Sequence, residues 1–268
     1  MKVPYEKSFS EFLSFLLKAY PDAKYPEKFI PIIAHKATAF YVLQKYFPEL
    51  TGEFLKLDGK FAYAISEPNW QGSPLNIRST IKECPDGSHE LYLKKSFVLD
   101  STIGIFVVKQ LFPEDKSVEE AKSFALVLVD TDYYRSTRVA LEKPEATYLV
   151  EENTFITHYQ METTVQLKNA LIQKISKREI ILLARSIVFR EQVAYAILAY
   201  LEASKFTDMA SVASRAKLLI QRTREEPGNE EIAIAREILS ASIVRILDNA
   251  NAHPFWKWLS RFVKPSAT

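Results

Sequence analysis

Residues 61–81 form the stretch whose residue types and spacing could do chemistry. The pattern predicts a strand over residues 61–66, a polar turn rich in Gly and Pro, and a second strand over residues 75–81. The turn would present backbone N–H groups, an indole and the hydroxyls of Ser66 and Ser73 at the rim of a sheet. Such a rim suits a phosphate or a flat heterocycle, because loop amides can converge on an anion without a counter-charge. The same residues also fit an ordinary surface turn.

The elements that must position this loop follow from changes in the hydrophobic period. Across residues 59–150, apolar residues alternate or form short runs rich in β-formers, which predicts five or six strands joined by short connections. Apolar residues at helical spacing lie on both sides of this region. We therefore expect an α+β fold. A central antiparallel β-barrel or sandwich domain (58–155) would be flanked by a short N-terminal helical segment (1–57) and a C-terminal helical bundle (156–268).

The helical segments carry their own start signals and periodicities. Ser8 and Glu11 form the pattern of a capping box, and a second helix should span residues 26–47. After the β-region we expect one helix over residues 157–176 and another over residues 177–204. The last of these is apolar nearly all round, so it should be buried against the β-domain, neighbouring helices or a second subunit.

Composition excludes several classes of function. The 35 Lys and Arg residues nearly balance the 33 Asp and Glu residues, and a net charge of +2 gives no electrostatic case for nucleic acid. The single Cys84 excludes a disulfide framework and a cysteine-based metal site, and the four histidines show no metal-ligand spacing. No secretory signal and no membrane-spanning stretch is visible. These features predict a soluble, cytoplasmic protein without a metal.

Several motifs in order resemble the acyl-CoA dehydrogenase family. Residues 64–80 are similar to its signature of a hydroxyl residue, Glu-Pro, Gly-Ser and Ile-Arg/Lys-Thr. Residues 91–99 are similar to its Lys-x-aromatic-Ile-Thr segment. The family's next two strands, its Arg/Ser/Thr segment and its Pro-x-Glu-Asn exit are matched by residues 104–109, 125–132, 135–137 and 150–153. The resemblance covers roughly residues 59–155, which correspond to the family's middle β-domain.

The resemblance implies a flavin, FAD, and an acyl-thioester such as acyl-CoA. The family removes a proton from the carbon next to the thioester and passes a hydride to the flavin, whose redox chemistry belongs to the cofactor. By position, Tyr63, Ile65 and Ser66 match the strand that lines the flavin. Gly72 and Ser73 match the Gly-Ser pair that contacts phosphate oxygens.

Three further positions belong to the same implied cofactor site. Phe97 matches the aromatic residue beside the isoalloxazine ring. Leu99 stands where the family has a threonine, so one hydrogen bond to the flavin is lost. Trp70 adds an indole to the loop, where it would either stack on a ring or fill the flavin's place.

The resemblance points to one candidate catalytic base, Glu179. The family carries its base in a Gly-rich segment after the penultimate helix or in a Glu-Arg-Leu start of the long helix. Residues 248–255 contain no glycine, and residues 178–180 match the second pattern one position out of step. The alternative is a first-turn glutamate favoured by the helix dipole. Residues 203–206 also lack the Gln and Gly of the family's Gln-Phe-Gly segment.

Two hypotheses of function follow from the resemblance. The first is a flavoprotein oxidoreductase that acts on a CH–CH bond of an acyl-thioester. The second is a non-catalytic binding or assembly protein that has lost the flavin and the base. Both allow a homo-oligomer or a hetero-complex, formed in the second case through the helix over residues 177–204 and the aromatic tail over residues 253–259.

Overall fold

The computed structural model describes residues 3–56, 61–68, 73–113, 117–118 and 121–261. Over these residues the chain forms eight α-helices and nine β-strands. The helices are α1 (Phe9–Ala19), α2 (Phe29–Ala34), α3 (Tyr41–Tyr46), α4 (Thr51–Lys56), α5 (Lys177–Ala203), α6 (Ala210–Arg222), α7 (Asn229–Leu247) and α8 (Pro254–Ser260). The strands are β1 (Phe61–Ala64), β2 (Thr80–Glu83), β3 (His89–Leu99), β4 (Ile103–Leu111), β5 (Ser123–Asp130), β6 (Arg138–Ala140), β7 (Thr147–Glu151), β8 (Thr154–Leu167) and β9 (Leu171–Ile175).

The chain divides into two compact units, each made of separate stretches of sequence. Unit 1 comprises Met1–Thr38, Lys143–Ile156 and Ser186–Thr268, and unit 2 comprises Ala39–Glu142 and Thr157–Arg185. The predicted domain boundary at residue 155 falls inside β8. The sheet therefore continues further along the chain than the β-domain predicted from the sequence.

The helices of unit 1 surround one apolar core. α1 begins with the predicted capping box, in which Glu11 N–H donates to Ser8 Oγ (3.3 Å) and Ser8 N–H donates to Glu11 Oε2 (3.1 Å). Four apolar side chains of α1 are buried because they recur at helical spacing on one face. They pack with apolar residues of α5, α6, α7 and α8. Each fully buried side chain of this kind contributes roughly 1.5–3 kcal/mol.

The predicted helix over residues 26–47 is divided into shorter pieces. α2 and α3 are separated by a π-helical turn, His35–Phe40. The Arg190 side chain donates from Nε to the carbonyl oxygen of Ala37 (3.1 Å) and from a terminal nitrogen to that of Lys36 (3.5 Å). Because these carbonyls bond to a side chain, the helical ladder loosens and widens here.

The strands form one large sheet in the order β6-β8-β3-β2-β4-β5-β9, with β1 also paired to β4 and β7 to β8. The α+β class is thus confirmed. Most pairs are antiparallel as expected, but β1 and β2 run parallel to β4. Among the described strands the path has two ends, β6 and β9, so the sheet does not close into the expected barrel.

β1 and β2 lie end to end along β4. Phe61–Ala64 pair with Ile103–Phe106, and Thr80–Lys82 pair with Lys109–Leu111. Both segments follow β4 in the same direction. They are shorter than the strands over residues 61–66 and 75–81 that the sequence pattern predicts, because Pro74–Asn76 form a 3-10 turn and β2 begins only at Thr80.

The helix predicted over residues 157–176 is wrong. β8 pairs with β3 from His89↔Leu167 to Leu99↔His158 and with β6 on its other side, while β9 pairs with β5. The segment is rich in Thr, with Tyr and Val, and these residue types favour extended backbone. Pairing on both sides of β8 outweighs its weak helical pattern. The next predicted helix is confirmed as α5.

None of the helices in the described part of the chain has the length and apolarity that crossing a membrane requires. Within the same ranges, no three His, Cys, Asp or Glu side chains come together as ligands for a metal ion.

Candidate functional site

The segment that follows β1 is tied to β3 by a backbone hydrogen bond. Ser96 N–H donates to the carbonyl oxygen of Ser66 (3.0 Å). β1 is itself held against β4, with Tyr63 opposite Ile105. The bond places Ser66 beside the residue that precedes Phe97. The structure therefore brings together two of the residues predicted to contact a cofactor, although they are 31 positions apart in the chain.

A buried ion pair lies next to this backbone contact. Lys95 Nζ is 3.0 Å from Glu67 Oε1, and the two side chains are 0% and 2% exposed. Lys95 Nζ also donates to the carbonyl oxygen of Val107 (2.6 Å). The Glu67 carboxylate accepts hydrogen bonds from Ser79 Oγ (2.7 Å), Ser79 N–H (2.9 Å) and Arg78 N–H (2.7 Å). Both buried charges are thus compensated, and the pair fixes the corner after Ser66 to β3 and β4.

Burial and pairing act on these two pKa values in opposite directions. Burial raises the pKa of Glu67, but the Lys95 ammonium and the hydrogen bonds from Ser79 and Arg78 outweigh it, so the pKa lies below its ordinary value. Burial lowers the pKa of Lys95 to about 8, although Glu67 opposes the change. Both groups are therefore charged at neutral pH.

Phe97 lies at a β-bulge with a strained backbone. The register between β3 and β8 shifts between Lys95 and Val98, and Phe97 has a φ of 56°. A left-handed conformation costs an aromatic residue roughly 1–2 kcal/mol. The ring is 38% exposed and meets the His158 ring edge-on, with centroids 5.9 Å apart. A strained backbone persists only where surrounding contacts hold it in place. Here the ion pair between Lys95 and Glu67 and the hydrogen bond of Ser96 N–H hold the residues before Phe97.

The remaining described residues of the predicted cofactor set have local roles. Tyr63 and Ile65 are partly buried in and just after β1. Ser73 Oγ accepts a hydrogen bond from Leu75 N–H (3.3 Å) and so caps a short 3-10 turn. Leu99 is 5% exposed in β3. Ser73 therefore shapes its own turn, and Leu99 supplies apolar packing without a hydrogen bond.

Two residues of the predicted cofactor set, Gly72 and Trp70, lie outside the described residues. Their contacts with a phosphate and with a ring stay predictions.

Glu179 is part of a helix cap at the start of α5. Ser176 N–H donates to Glu179 Oε2 (2.7 Å), and Glu179 N–H donates to Ser176 Oγ (3.2 Å). The bonds from the Ser176 side chain and backbone lower the pKa of the exposed Glu179 carboxyl. A carboxylate with a lowered pKa is a weaker base. This geometry favours the capping role over catalysis, and the role as base stays a prediction.

Sequence reasoning missed the partners that build this site, namely Lys95, Ser79 and His158. A signal for Lys95 exists in the alternation of β3, where Leu91 and Leu93 are both buried and Lys95 occupies the next inward position. A lysine at such a position needs a buried anion. His158 had no such signal, because the strand that carries it was predicted as a helix.

Comparisons with known proteins yield structural matches only: no protein-family model and no curated protein sequence matches the chain. The glutaryl-coenzyme A dehydrogenase–glutaryl-CoA complex matches with a TM-score of 0.62 and 12% identity over 95% of this chain and 73% of that chain. Butyryl-CoA dehydrogenase from Megasphaera elsdenii gives 0.60 and 11% over 95% and 76%. The FAD complex of PigA gives 0.57 and 13% over 97% and 79%. The chain thus has an acyl-CoA dehydrogenase-like fold, as its motifs implied.

Proposed function

We propose that this chain is a flavoprotein of the acyl-CoA dehydrogenase type, an oxidoreductase that binds FAD and acts on an acyl-thioester. The observation that carries the proposal is Phe97, whose backbone is strained and whose ring is partly exposed, two residues after the buried Lys95. A ring held this way suits a flat heterocycle, because aromatic systems attract one another in offset or edge-on arrangements. Support comes also from solved structures of the same fold, whose names include FADH2, FAD and glutaryl-CoA.

The residues of this chain would hold the cofactor, and FAD when bound would supply the hydride chemistry. In the proposed arrangement Phe97 lies beside the flavin ring system and Leu99 adds apolar contact. The remaining contacts come from the segment around β1 and its loop, in which Tyr63, Ile65 and Ser66 line the flavin, Gly72 and Ser73 approach phosphate oxygens, and Trp70 stacks on a ring.

Incubation with FAD followed by desalting tests the cofactor proposal. We expect the wild-type chain to keep the visible absorbance of bound flavin and the Phe97→Gly variant to lose most of it. Gly relieves the left-handed strain, so the variant should remain folded. Tyr133→Gly removes another exposed aromatic residue of unit 2 and should leave flavin uptake unchanged. A wild-type chain that stays colourless after this treatment would overturn the proposal.

A second candidate function is a non-catalytic binding or assembly protein. It is favoured by Glu179, whose carboxylate is engaged in the cap of α5, and by the apolar Leu99. In this case the chain takes up no flavin and self-associates through α5. That helix carries exposed apolar side chains at Ile181, Leu182 and Val188, which are 44%, 49% and 47% exposed.

A further inference from the structure

The β-bulge in β3 brings Phe97 to one particular side chain of β8. In the ladder between these strands, Ser96 and Phe97 together stand opposite the single residue Gln160. Ser96 N–H donates to the carbonyl oxygen of Ser66 instead of pairing with β8. A bulge re-aims the side chains of the bulged strand. The Phe97 ring thereby meets the imidazole of His158 edge-on.

His158 also lies directly opposite Leu99 in the same pair of strands. Side chains that stand opposite each other in an antiparallel pair share one face of the sheet, with Cβ atoms about 4.5–5.5 Å apart. Phe97 lies on this face too, because its ring contacts the imidazole. Phe97, Leu99 and His158, all in unit 2, therefore form one group near the end of β3, the Phe97 cluster.

The backbone of His158 is held from both sides. β3 pairs with it on one side, and on the other side Leu141 N–H, just after β6, donates to its carbonyl oxygen (2.9 Å). The side chain itself is half-buried. Residues on strands hold a binding group in place more precisely than residues on loops do. The imidazole is therefore a fixed hydrogen-bonding group beside Phe97.

Two ion pairs lie near the Phe97 cluster. On the same face of the sheet, Lys94 Nζ is 2.8 Å from Glu162 Oε2. On the other face, a terminal nitrogen of Arg138 is 2.7 Å from Asp100 Oδ1. The charges within each pair compensate each other. The chemical character of the cluster therefore follows from two apolar side chains and one imidazole.

We propose that His158 is a further cofactor-binding residue, whose imidazole hydrogen-bonds to the ring system of the bound flavin. The inference rests on the proposed function, in which Phe97 and Leu99 lie against that ring system. A flavin ring system carries hydrogen-bonding nitrogen and oxygen atoms, and leaving them unpaired in a protein site lowers affinity. Leu99 offers no hydrogen-bonding side-chain atom, whereas the imidazole opposite it has two ring nitrogens. His158 thus supplies the polar contact of the Phe97 cluster.

Titration of the full chain with FAD, followed by the change in flavin fluorescence, tests the assignment. We expect His158→Leu to weaken FAD binding about tenfold, as the loss of one hydrogen bond in a binding site does. Adding Leu99→Thr to this variant should restore most of the affinity, because the new hydroxyl enters the cluster from the position directly opposite. A histidine with a structural role alone would give no such rescue, since Leu99→Thr removes apolar packing. The control is His89→Leu, the same change at the other end of β3, which should leave FAD binding unchanged.

The outcomes separate this inference from the flavin proposal itself. If the wild-type and His158→Leu chains bind FAD equally well, or if Leu99→Thr restores no affinity, the role of His158 is overturned while the flavin proposal stands. If the wild-type chain binds no FAD, both are overturned. His158→Gln keeps a hydrogen-bonding side chain and should bind FAD within about threefold of the wild-type chain. Should thermal unfolding show that His158→Leu does not fold, His158→Val, a residue that strands favour, replaces it under the same criteria.

Discussion

Single buried charges shape this molecule at the scale of the residue. Lys95 and Glu67 compensate each other and hold the corner that leads to Phe97, whereas Lys36 is buried beside another cation, Arg190. The first arrangement fixes geometry, although the attraction to Glu67 only partly offsets the desolvation of the Lys95 ammonium. The second leaves a lysine whose proton is held less tightly than in water, and this makes the stability of the fold sensitive to pH.

Glu67→Gln should destabilise the chain by roughly 3–5 kcal/mol, because it leaves the Lys95 ammonium buried without a counter-ion. Adding Lys95→Met to this variant should recover part of the loss. Urea unfolding of the two single variants and the double variant measures the coupling. Lys94→Met provides the control, since its ion pair with Glu162 lies at the surface and should matter little. A loss for Glu67→Gln no larger than that of the control would contradict the prediction.

The free energy of unfolding should rise at alkaline pH because Lys36 is buried. Burial lowers its pKa from 10.5 to about 8, with Arg190 adding to the effect, while Nζ donates to the carbonyl oxygens of Tyr5 and Lys7. Between these two pKa values the unfolded chain binds more protons than the folded chain, so the unfolding free energy increases with pH. Between about pH 8 and pH 10, the free energy of unfolding of the wild-type chain, measured in urea, should increase by roughly 2 kcal/mol more than that of the Lys36→Met variant. The exposed Lys24→Met serves as the control and should show the wild-type pH slope; the same slope in Lys36→Met would refute the assignment.

At the scale of the element, close approaches and caps decide which strands and helices can form. β4 contains Gly104, and the Phe106 ring folds back over it and meets the Tyr134 ring edge-on at 5.3 Å. α5 starts with a reciprocal cap between Ser176 and Glu179. Each contact limits which residues can replace Gly104 or Glu179, and each predicts the effect of a substitution.

Gly104→Ala should destabilise the chain by about 1–3 kcal/mol, since a Cβ there would overlap the Phe106 ring and lie 2.8 Å from the Tyr134 hydroxyl. Phe106→Leu in the same chain should relieve part of the clash. Gly52→Ala is the matched control: it lies in α4 with no atom within 4 Å of the added Cβ, so it should stabilise by roughly 0.5–1 kcal/mol. Thermal unfolding of the three variants makes the comparison, and equal effects of the two alanines would disprove the steric account.

Glu179→Gln separates the two roles considered for Glu179. Gln can replace Glu in a capping box, so the melting temperature should change little. If Glu179 is the base, turnover of an acyl-CoA by the FAD-loaded chain should fall at least about a hundredfold, because general-base catalysis contributes that much or more. Ser176→Ala, which weakens only the cap, should lower stability by about 1 kcal/mol and leave turnover of the folded chain intact. Full turnover by Glu179→Gln would exclude the catalytic role.

For the whole molecule, the exposed apolar side chains of α5 predict self-association. Ile181 and Leu182 lie side by side near the start of the helix, and exposed apolar patches of this kind mark interfaces. We expect the wild-type chain to scatter light as an oligomer and the Ile181→Glu/Leu182→Glu variant to shift to the monomer. Val244→Glu on α7 changes another exposed apolar residue, which is 58% exposed, and should leave the oligomer intact. A wild-type monomer at every concentration would rule out this surface.

The sequence by itself determined the features that depend on neighbours along the chain. The capping box of α1, the extent of α5, the strand-rich middle and the motif order that implied the fold are all written in local spacing. Tertiary structure alone decided the features that depend on distant partners. β8 became a strand because β3, about 70 positions earlier, pairs with it, and the π-helical turn in residues 35–40 formed where Arg190 binds its carbonyls. The pairing of Glu67 with Lys95 likewise needed the sheet, because a buried charge acquires its counter-ion only once the chain has folded.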